Sequence, residues 1–286
     1  MKKTILLLSG LLLASCATQK VLPEKEYFDS GTEAMDEEAF DVAIDQYQKL
    51  LEEYPFSEYT EEAQLKIAFA QYKSERYAEA IASFQDFQRM HPTNPNLPFA
   101  EYYLAMSYKD QMGAKDRDQS ASAQAHAHFQ ALIDRYPESP FAEKAKKQLR
   151  ECRELLAEHE LSVAEFYLHW GNPLGAESRL RNLLQTYPDT ATTAEALLRF
   201  GNYFRKQGDL TRAALAFAAL KEKYPENPLS GEAKSALARL SEKSVEADSE
   251  PLAALVETLG RPSASVQPVP PEDRPSAAAV SAGEPG

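Results

Sequence analysis

The chain has 286 residues, with 44 Asp and Glu against 31 Lys and Arg and a formal net charge of −13. Such an acidic surface repels phosphate backbones, which excludes nucleic acid as the natural partner. After the first fifteen residues no apolar run approaches the ~20 residues that cross a hydrocarbon core.

The N-terminus reads as a processed segment. Lys2 and Lys3 precede an apolar run over 5–13, interrupted only by Ser9 and Gly10, which has the length of a secretory h-region rather than of a membrane span. Leu13-Ala14-Ser15-Cys16 resembles the bacterial lipobox. The resemblance implies cleavage before Cys16, whose thiol and new amino group then take acyl chains such as palmitate. Several acyl chains hold a protein where one holds it only marginally. Residues 1–15 are then a lipoprotein signal and 16–23 an anchored linker. Ala17 follows the Cys where Asp often marks inner-membrane retention, which favours the outer membrane, on its periplasmic face. With Cys16 acylated, Cys152 is the one remaining thiol, and its apolar helical surroundings mark it as a small core residue.

Next in the chain come repeats. Tyr54-Pro55, His91-Pro92, Tyr136-Pro137, Tyr187-Pro188 and Tyr224-Pro225 share one pattern. Two residues after each Pro stands Ser57, Asn94, Ser139, Thr190 or Asn227, types that accept bonds from the free amides of a helix start. Pro95, Pro140 and Pro228 follow three of these, where a first helical residue needs no N–H. Each motif predicts a helix end, a tight turn and a new helix. Twelve residues before each Pro lies Ala43, Ala80, Ala125, Ala176 or Ala213; eight before lies Tyr47, Phe84, Phe129, Leu180 or Phe217. This is the second half of the tetratricopeptide pattern. Leu197, Phe200, Gly201 and Phe204 supply its first half in the last repeat, and Tyr27, Gly31 and Ala34 do so less perfectly in the first. Small residues at helix crossings let backbones approach. A single pair cannot bury its apolar face, so the pairs stack. The prediction is an all-α tetratricopeptide-repeat solenoid of about five helix pairs, a C-terminal capping helix and a disordered tail.

Departures from a uniform period carry information. Successive prolines are 37, 45, 51 and 37 residues apart. The extra length in the third unit predicts a charged exposed loop over 109–122, around Asp116-Arg117-Asp118. The extra length in the fourth predicts one long helix, or two in line, over 141–169, which contains no Pro or Gly. That helix joins a front half of three repeats, 24–137, to a back half over 138–243 that ends in a capping helix near 231–243. The last segment, 244–286, holds seven prolines and no aromatic residue, too little apolar surface to fold. A short transient helix over 252–259 is the one exception it allows.

Signs of chemistry are few. His126 and His128 stand two apart on a predicted helix and point to different faces, a poor metal pair. No Cys/His cluster or Gly-rich phosphate loop occurs, and the carboxylates scatter along solvated faces. The chain therefore reads as a binding scaffold without cofactor or metal, and not as an enzyme. Aromatics are dense between Tyr54 and Tyr103. Most of them serve as packing on this reading. Phe56, Tyr59, Tyr102 and Tyr103 are the candidates for a peptide groove, because first helices line the inner face of tetratricopeptide arrays.

Tyr54-Pro55-Phe56-Ser57-Glu58-Tyr59, Asn94-Pro95-Asn96, Ser162-Val163-Ala164-Glu165-Phe166-Tyr167 and Tyr187-Pro188-Asp189-Thr190 resemble the BamD (ComL) family of outer-membrane assembly lipoproteins. The resemblance runs from about Cys16 to Leu240. It implies a subunit of the machinery that folds β-barrels into the outer membrane. Front repeats would receive the C-terminal signal strand of unfolded barrel proteins. Back repeats would dock on the periplasmic domain of the barrel-shaped insertase, through basic residues such as Arg179 and Arg181, with accessory assembly lipoproteins beside them. The repeat alone also allows a secretin pilotin or a cell-division coordinator.

Overall fold

The computed structural model describes residues 21–240 and 250–259. The signal and lipidation expectations, Cys16 among them, and the tail other than 250–259 lie outside the described residues. Twelve helices account for the regular structure described: α1 Glu24–Asp36, α2 Phe40–Glu53, α3 Thr60–Lys73, α4 Tyr77–Met90, α5 Leu97–Lys109, α6 Ser120–Arg135, α7 Pro140–His169, α8 Pro173–Thr186, α9 Ala191–Lys206, α10 Leu210–Lys223, α11 Leu229–Ala238 and α12 Pro251–Thr258. There is no strand among the described residues. The pairs α1/α2, α3/α4, α5/α6, α7/α8 and α9/α10 are the five repeats, so the fold is an all-α tetratricopeptide array.

Two backbone devices build the array. Between repeats, the aromatic residue before each Pro ends a helix by donating its N–H to the carbonyl four residues back, as Tyr54 does to Leu50 at 2.8 Å and Tyr224 to Leu220 at 3.1 Å. The carbonyl of the same residue then accepts from the residue three on, giving Ser57 N to Tyr54 O at 3.1 Å and its counterparts at Asn94, Ser139, Thr190 and Asn227. Ser139 and Thr190 go on to cap α7 and α9 with their side chains. At the second junction the Asn94 amide donates to Glu61 at 2.6 Å, and α5 starts at Leu97 with Pro98 in its first turn. Within repeats, four helix pairs close through a left-handed residue, Glu38 (φ 58), Glu75 (φ 61), Gly171 (φ 69) or Gly208 (φ 78). The next amide then reaches back five residues, as Asp209 N does to Phe204 O at 2.9 Å and Arg76 N to Gln71 O at 2.9 Å, the six-to-one bond of a Schellman end. In the third repeat the segment between α5 and α6 takes the place of this closure; it is mostly exposed, and α6 begins at Ser120, within the expected loop.

The repeat residues form the core. Ala43, Ala80, Ala125, Ala176 and Ala213 are all fully buried, and beside them Tyr47, Phe84, Phe129, Leu180 and Phe217 are at most 1% exposed. Two glycines show why a side chain is absent there. A Cβ on Gly31 would stand 2.6 Å from Tyr47 Cε1, and one on Gly201 2.6 Å from Phe217 Cε1.

The chain divides into two compact units, 1–94 with α1–α4 and 95–286 with α5–α12. The division falls one repeat before the expected front/back boundary at 137/138. The third repeat belongs with the fourth and fifth because α7 is one continuous 30-residue helix that packs on α5, α6, α8 and α9. Its Phe141 meets Tyr102 at 5.4 Å and Phe99 at 5.7 Å between ring centroids. At the C-terminal end α11 packs on α9 and α10. The short helix that the sequence allows over 252–259 lies in the described part of the tail. Its Pro251–Thr258 stretch is a helix packed on α10 and α8, with Leu255 and Leu259 fully buried, because three leucines there share one face.

Candidate functional site

In the first unit the candidate surface is the turn between α2 and α3. Tyr54 is used by the fold: its hydroxyl donates to Leu22 O at 3.0 Å, tying down the chain that leads into α1. Ser57 Oγ accepts from Tyr59 N at 3.1 Å and shapes the turn. Phe56, at its tip, is wholly exposed. Tyr59 is half-buried, its ring stacked on Phe28 at 4.7 Å and 26°, and Lys66 Nζ lies 5.7 Å from the centre of the Phe28 ring. The result is an aromatic platform, Tyr59 on Phe28, beside a free phenyl ring. Phe56 is the most exposed large apolar side chain among the described residues.

The second unit holds the other two aromatic candidates. Tyr102 is 9% exposed and packs among Phe129, Phe141 and Tyr103, so it is core and not groove. The helix face it occupies points at α6 and α7, and burial pushes its phenol up from the ordinary value. Tyr103 is half-buried against Phe99 at 4.7 Å and keeps part of its surface open.

The two candidate arginines are both engaged within the chain. Arg179, on α8, lies 3.3 Å from both carboxylate oxygens of Glu160 on α7 and keeps 40% of its side chain exposed. It lines an open recess of about 400 Å³ with Tyr167, Gly175, Ser178 and Asn182. Arg181 is engaged within the chain, its Nε donating to the Val256 carbonyl of α12 at 3.4 Å. Neither arginine of the expected pair is free: both are half-buried, Arg179 paired with Glu160 and Arg181 bonded to α12.

Other chemistry-bearing groups have structural employment. Cys152 is fully buried, its thiol 3.7 Å from Met112 Sδ and pushed up by burial to about 11, which leaves essentially no reactive thiolate at neutral pH. His128 stacks on Tyr108 and reaches Glu101 at 2.8 Å. Among the described residues no three His, Cys, Asp or Glu side chains gather to hold a metal ion, and no helix is long and apolar enough to cross a membrane.

One surface feature escapes the repeat pattern. At the α7–α8 corner Phe166, Trp170 and Leu174 are 57%, 67% and 57% exposed, with the Phe166 and Trp170 rings 6.0 Å apart. The one signal for it is the chain's single Trp placed just before the Gly171-Asn172-Pro173 helix stop, where no core position remains for it.

The family model described as YfiO, outer membrane lipoprotein, matches residues 21–214. Among curated proteins, the chain is similar to the outer membrane protein assembly factor BamD of Xylella fastidiosa (strain 9a5c), 31% identical over 72% of this chain and 74% of that relative. The proteins of the same name from Vibrio cholerae and Neisseria meningitidis serogroup B are 29% and 28% identical, over 67% and 80% of this chain and 85% and 93% of theirs. A solved thermophilic TPR protein of Thermus thermophilus aligns at TM-score 0.34 and 19% identity, over 75% of this chain and 99% of that one; the repeat assignment rests on the helix pairs themselves. With the family match running from the residues before α1 into α10, the chain belongs to the YfiO family of outer membrane lipoproteins.

Proposed function

We propose that the chain is a lipid-anchored scaffold on the periplasmic face of the outer membrane, working in the machinery that assembles β-barrel proteins there. The observation that carries this reading is the family match over 21–214 together with relatives named as outer membrane protein assembly factors. In this reading Cys16 carries the anchor. Phe56 and the Tyr59–Phe28 platform of the first unit receive the C-terminal strand of an unfolded barrel protein, and Tyr103 offers a second aromatic surface. A strand with alternating aromatic side chains suits such a platform, because each ring buries a large area at low cost in conformational freedom. Arg179 meets the periplasmic domain of the insertase, and accessory assembly lipoproteins join the same body. The role requires no cofactor and no chemical step.

A gentle detergent pull-down from envelopes, with the tagged full-length chain and mass spectrometry of bound partners, tests the reading. Recovery of a large β-barrel protein with repeated periplasmic domains supports it. Recovery of a secretin ring or of cell-division proteins instead keeps the fold and overturns the role. At finer grain, Phe56→Ala with Tyr59→Ala is expected to weaken binding of a barrel-signal peptide about tenfold or more, the loss of aromatic contacts each worth roughly 1–2 kcal/mol. Phe56 is solvent-exposed, so Phe56→Ala alone leaves the helical circular dichroism signal intact. Unchanged peptide affinity in the double variant removes the platform from the site.

A further inference from the structure

The face shared by α8 and α10 is covered by an eight-residue helix that the repeat pattern does not require. Along α12 and its C-terminal cap, Leu252, Leu255 and Leu259 are 9%, 0% and 0% exposed within the core formed by the back repeats. They stand at i, i+3 and i+7, the spacing by which an amphipathic helix lays one stripe into a groove. Two basic residues flank the seat. Lys223 Nζ is 2.9 Å from Glu250 Oε1 at the start of α12, and Arg181 Nε reaches Val256 O near its end. The seat thus combines an apolar floor with a lysine near one end and an arginine near the other, which suits an acidic helix.

Apart from its three leucines, little holds α12 in place. A helix below ~12–15 residues is marginal in water without tertiary support. Its N-cap, Glu250, makes no side-chain capping bond, and its last turn carries no basic residue. The Lys223–Glu250 pair is exposed at 42% and 59%, the kind of ion pair that adds little. Only the nine residues 241–249 separate the end of the α11 region from Glu250, so α12 competes for its own seat at high effective concentration.

We propose that the α8–α10 groove is a docking site for an acidic amphipathic helix of a partner protein, with α12 as its occupant in cis, displaced when the partner binds. The partner helix presents apolar residues at i, i+3 and i+7 and an acidic residue near its N-terminal end, where it takes the place of Glu250 against Lys223. Displacement also releases Arg181 from Val256. The proposal stands apart from the assembly role, because the pull-down reads out partners whether or not α12 moves.

A fluorescent peptide copy of residues 250–260 is the probe, read by anisotropy against the detergent-solubilised full chain. Two variants empty the groove by different routes. Leu255→Asp places a carboxylate at a fully buried position. Ala254→Pro removes the N–H that donates to Glu250 O and breaks α12 while leaving its leucines and the groove intact. The peptide is expected to bind both variants about tenfold or more tightly than the wild type, which is self-occupied. Adding Lys223→Glu to the Ala254→Pro chain is expected to weaken that binding severalfold. In the wild type, hydrogen exchange is expected about tenfold or more faster at α12 amides than at α10 amides. Equal peptide affinity for the wild type and both variants, or no binding to variants of unchanged circular dichroism, overturns the site. Equal protection of α12 and α10 overturns displacement, and a wild-type dimer that exchanges α12 between copies overturns the partner assignment.

Discussion

The first and last repeats make the same contact and surround it differently. In α1/α2 Gly31 lies under the Tyr47 ring, and in α9/α10 Gly201 lies under the Phe217 ring, each closer than any Cβ allows. Around that shared contact the first repeat is lightly polar: Tyr47 OH and Thr32 Oγ1 are 3.1 Å apart. The last repeat buries charge. Arg212, 7% exposed, sits between Asp209 (Nε to Oδ2 2.5 Å) and Glu177 (Nη1 to Oε1 2.9 Å), over the Phe204 ring at 4.8 Å. Their turns differ too, with Glu38 in the left-handed region in one and Gly208 in the other. Helix crossing is thus the invariant demand of the repeat, while polar interior and turn chemistry vary around it.

The largest expected effect breaks the charged interior. Arg212→Met removes the guanidinium and leaves Asp209 and Glu177, 5% and 4% exposed, without it. A loss of roughly 3–5 kcal/mol of unfolding free energy is expected, since removing one partner strands buried charge. Chemical denaturation of the full chain measures it, and a loss below about 1 kcal/mol would mean the carboxylates take up other partners. Thr32→Ala, the nearest counterpart in the first repeat, is expected to cost only about 1 kcal/mol, the net worth of an ordinary hydrogen bond.

The crossing contact comes next and should treat both repeats alike. Gly31→Ala and Gly201→Ala each drive a methyl into a fully buried ring, an overpacking worth roughly 1–3 kcal/mol that the better helix propensity of Ala offsets only partly. Combining Gly201→Ala with Phe217→Leu should restore part of the loss, because the smaller side chain vacates the contested space. Additive losses in that double-mutant cycle would show that the ring is not what the methyl meets.

Both glycines are legible in the sequence because the aromatic-Pro motif fixes the register, and register fixes which residue lies under which ring. The same logic finds all five buried alanines, the long α7 and the loop before α6. It fails where two sites compete for one residue type. Tyr102 and Tyr103 are neighbours of one kind, and only the direction of the helix face sends the first among Phe129 and Phe141 while leaving the second partly open. The tie between Arg181 and Val256 is not legible, because a sequence shows that a short helix can form over 252–259 but not which face it packs against.

The smallest effect tests the turns, where the first two repeats should gain what the last would lose. Glu75 is an exposed residue at φ 61 with a Cβ that crowds the following carbonyl, whereas Gly208 reaches φ 78 without one. Left-handed backbone costs an ordinary residue roughly 1–2 kcal/mol, while Gly gives back about 0.5–1 through the greater freedom of its unfolded chain. Glu75→Gly should therefore stabilise by about 0.5–1 kcal/mol, and Gly208→Glu should destabilise by a similar amount. Thermal melts of the two single variants and of the double exchange decide it. Opposite shifts that cancel in the double variant mean that the Schellman closure sets the choice in both repeats. A loss on Glu75→Gly would instead mean that its carboxylate contributes more than its strained backbone costs, since the turn geometry is otherwise shared: Arg76 N to Gln71 O and Asp209 N to Phe204 O are both 2.9 Å.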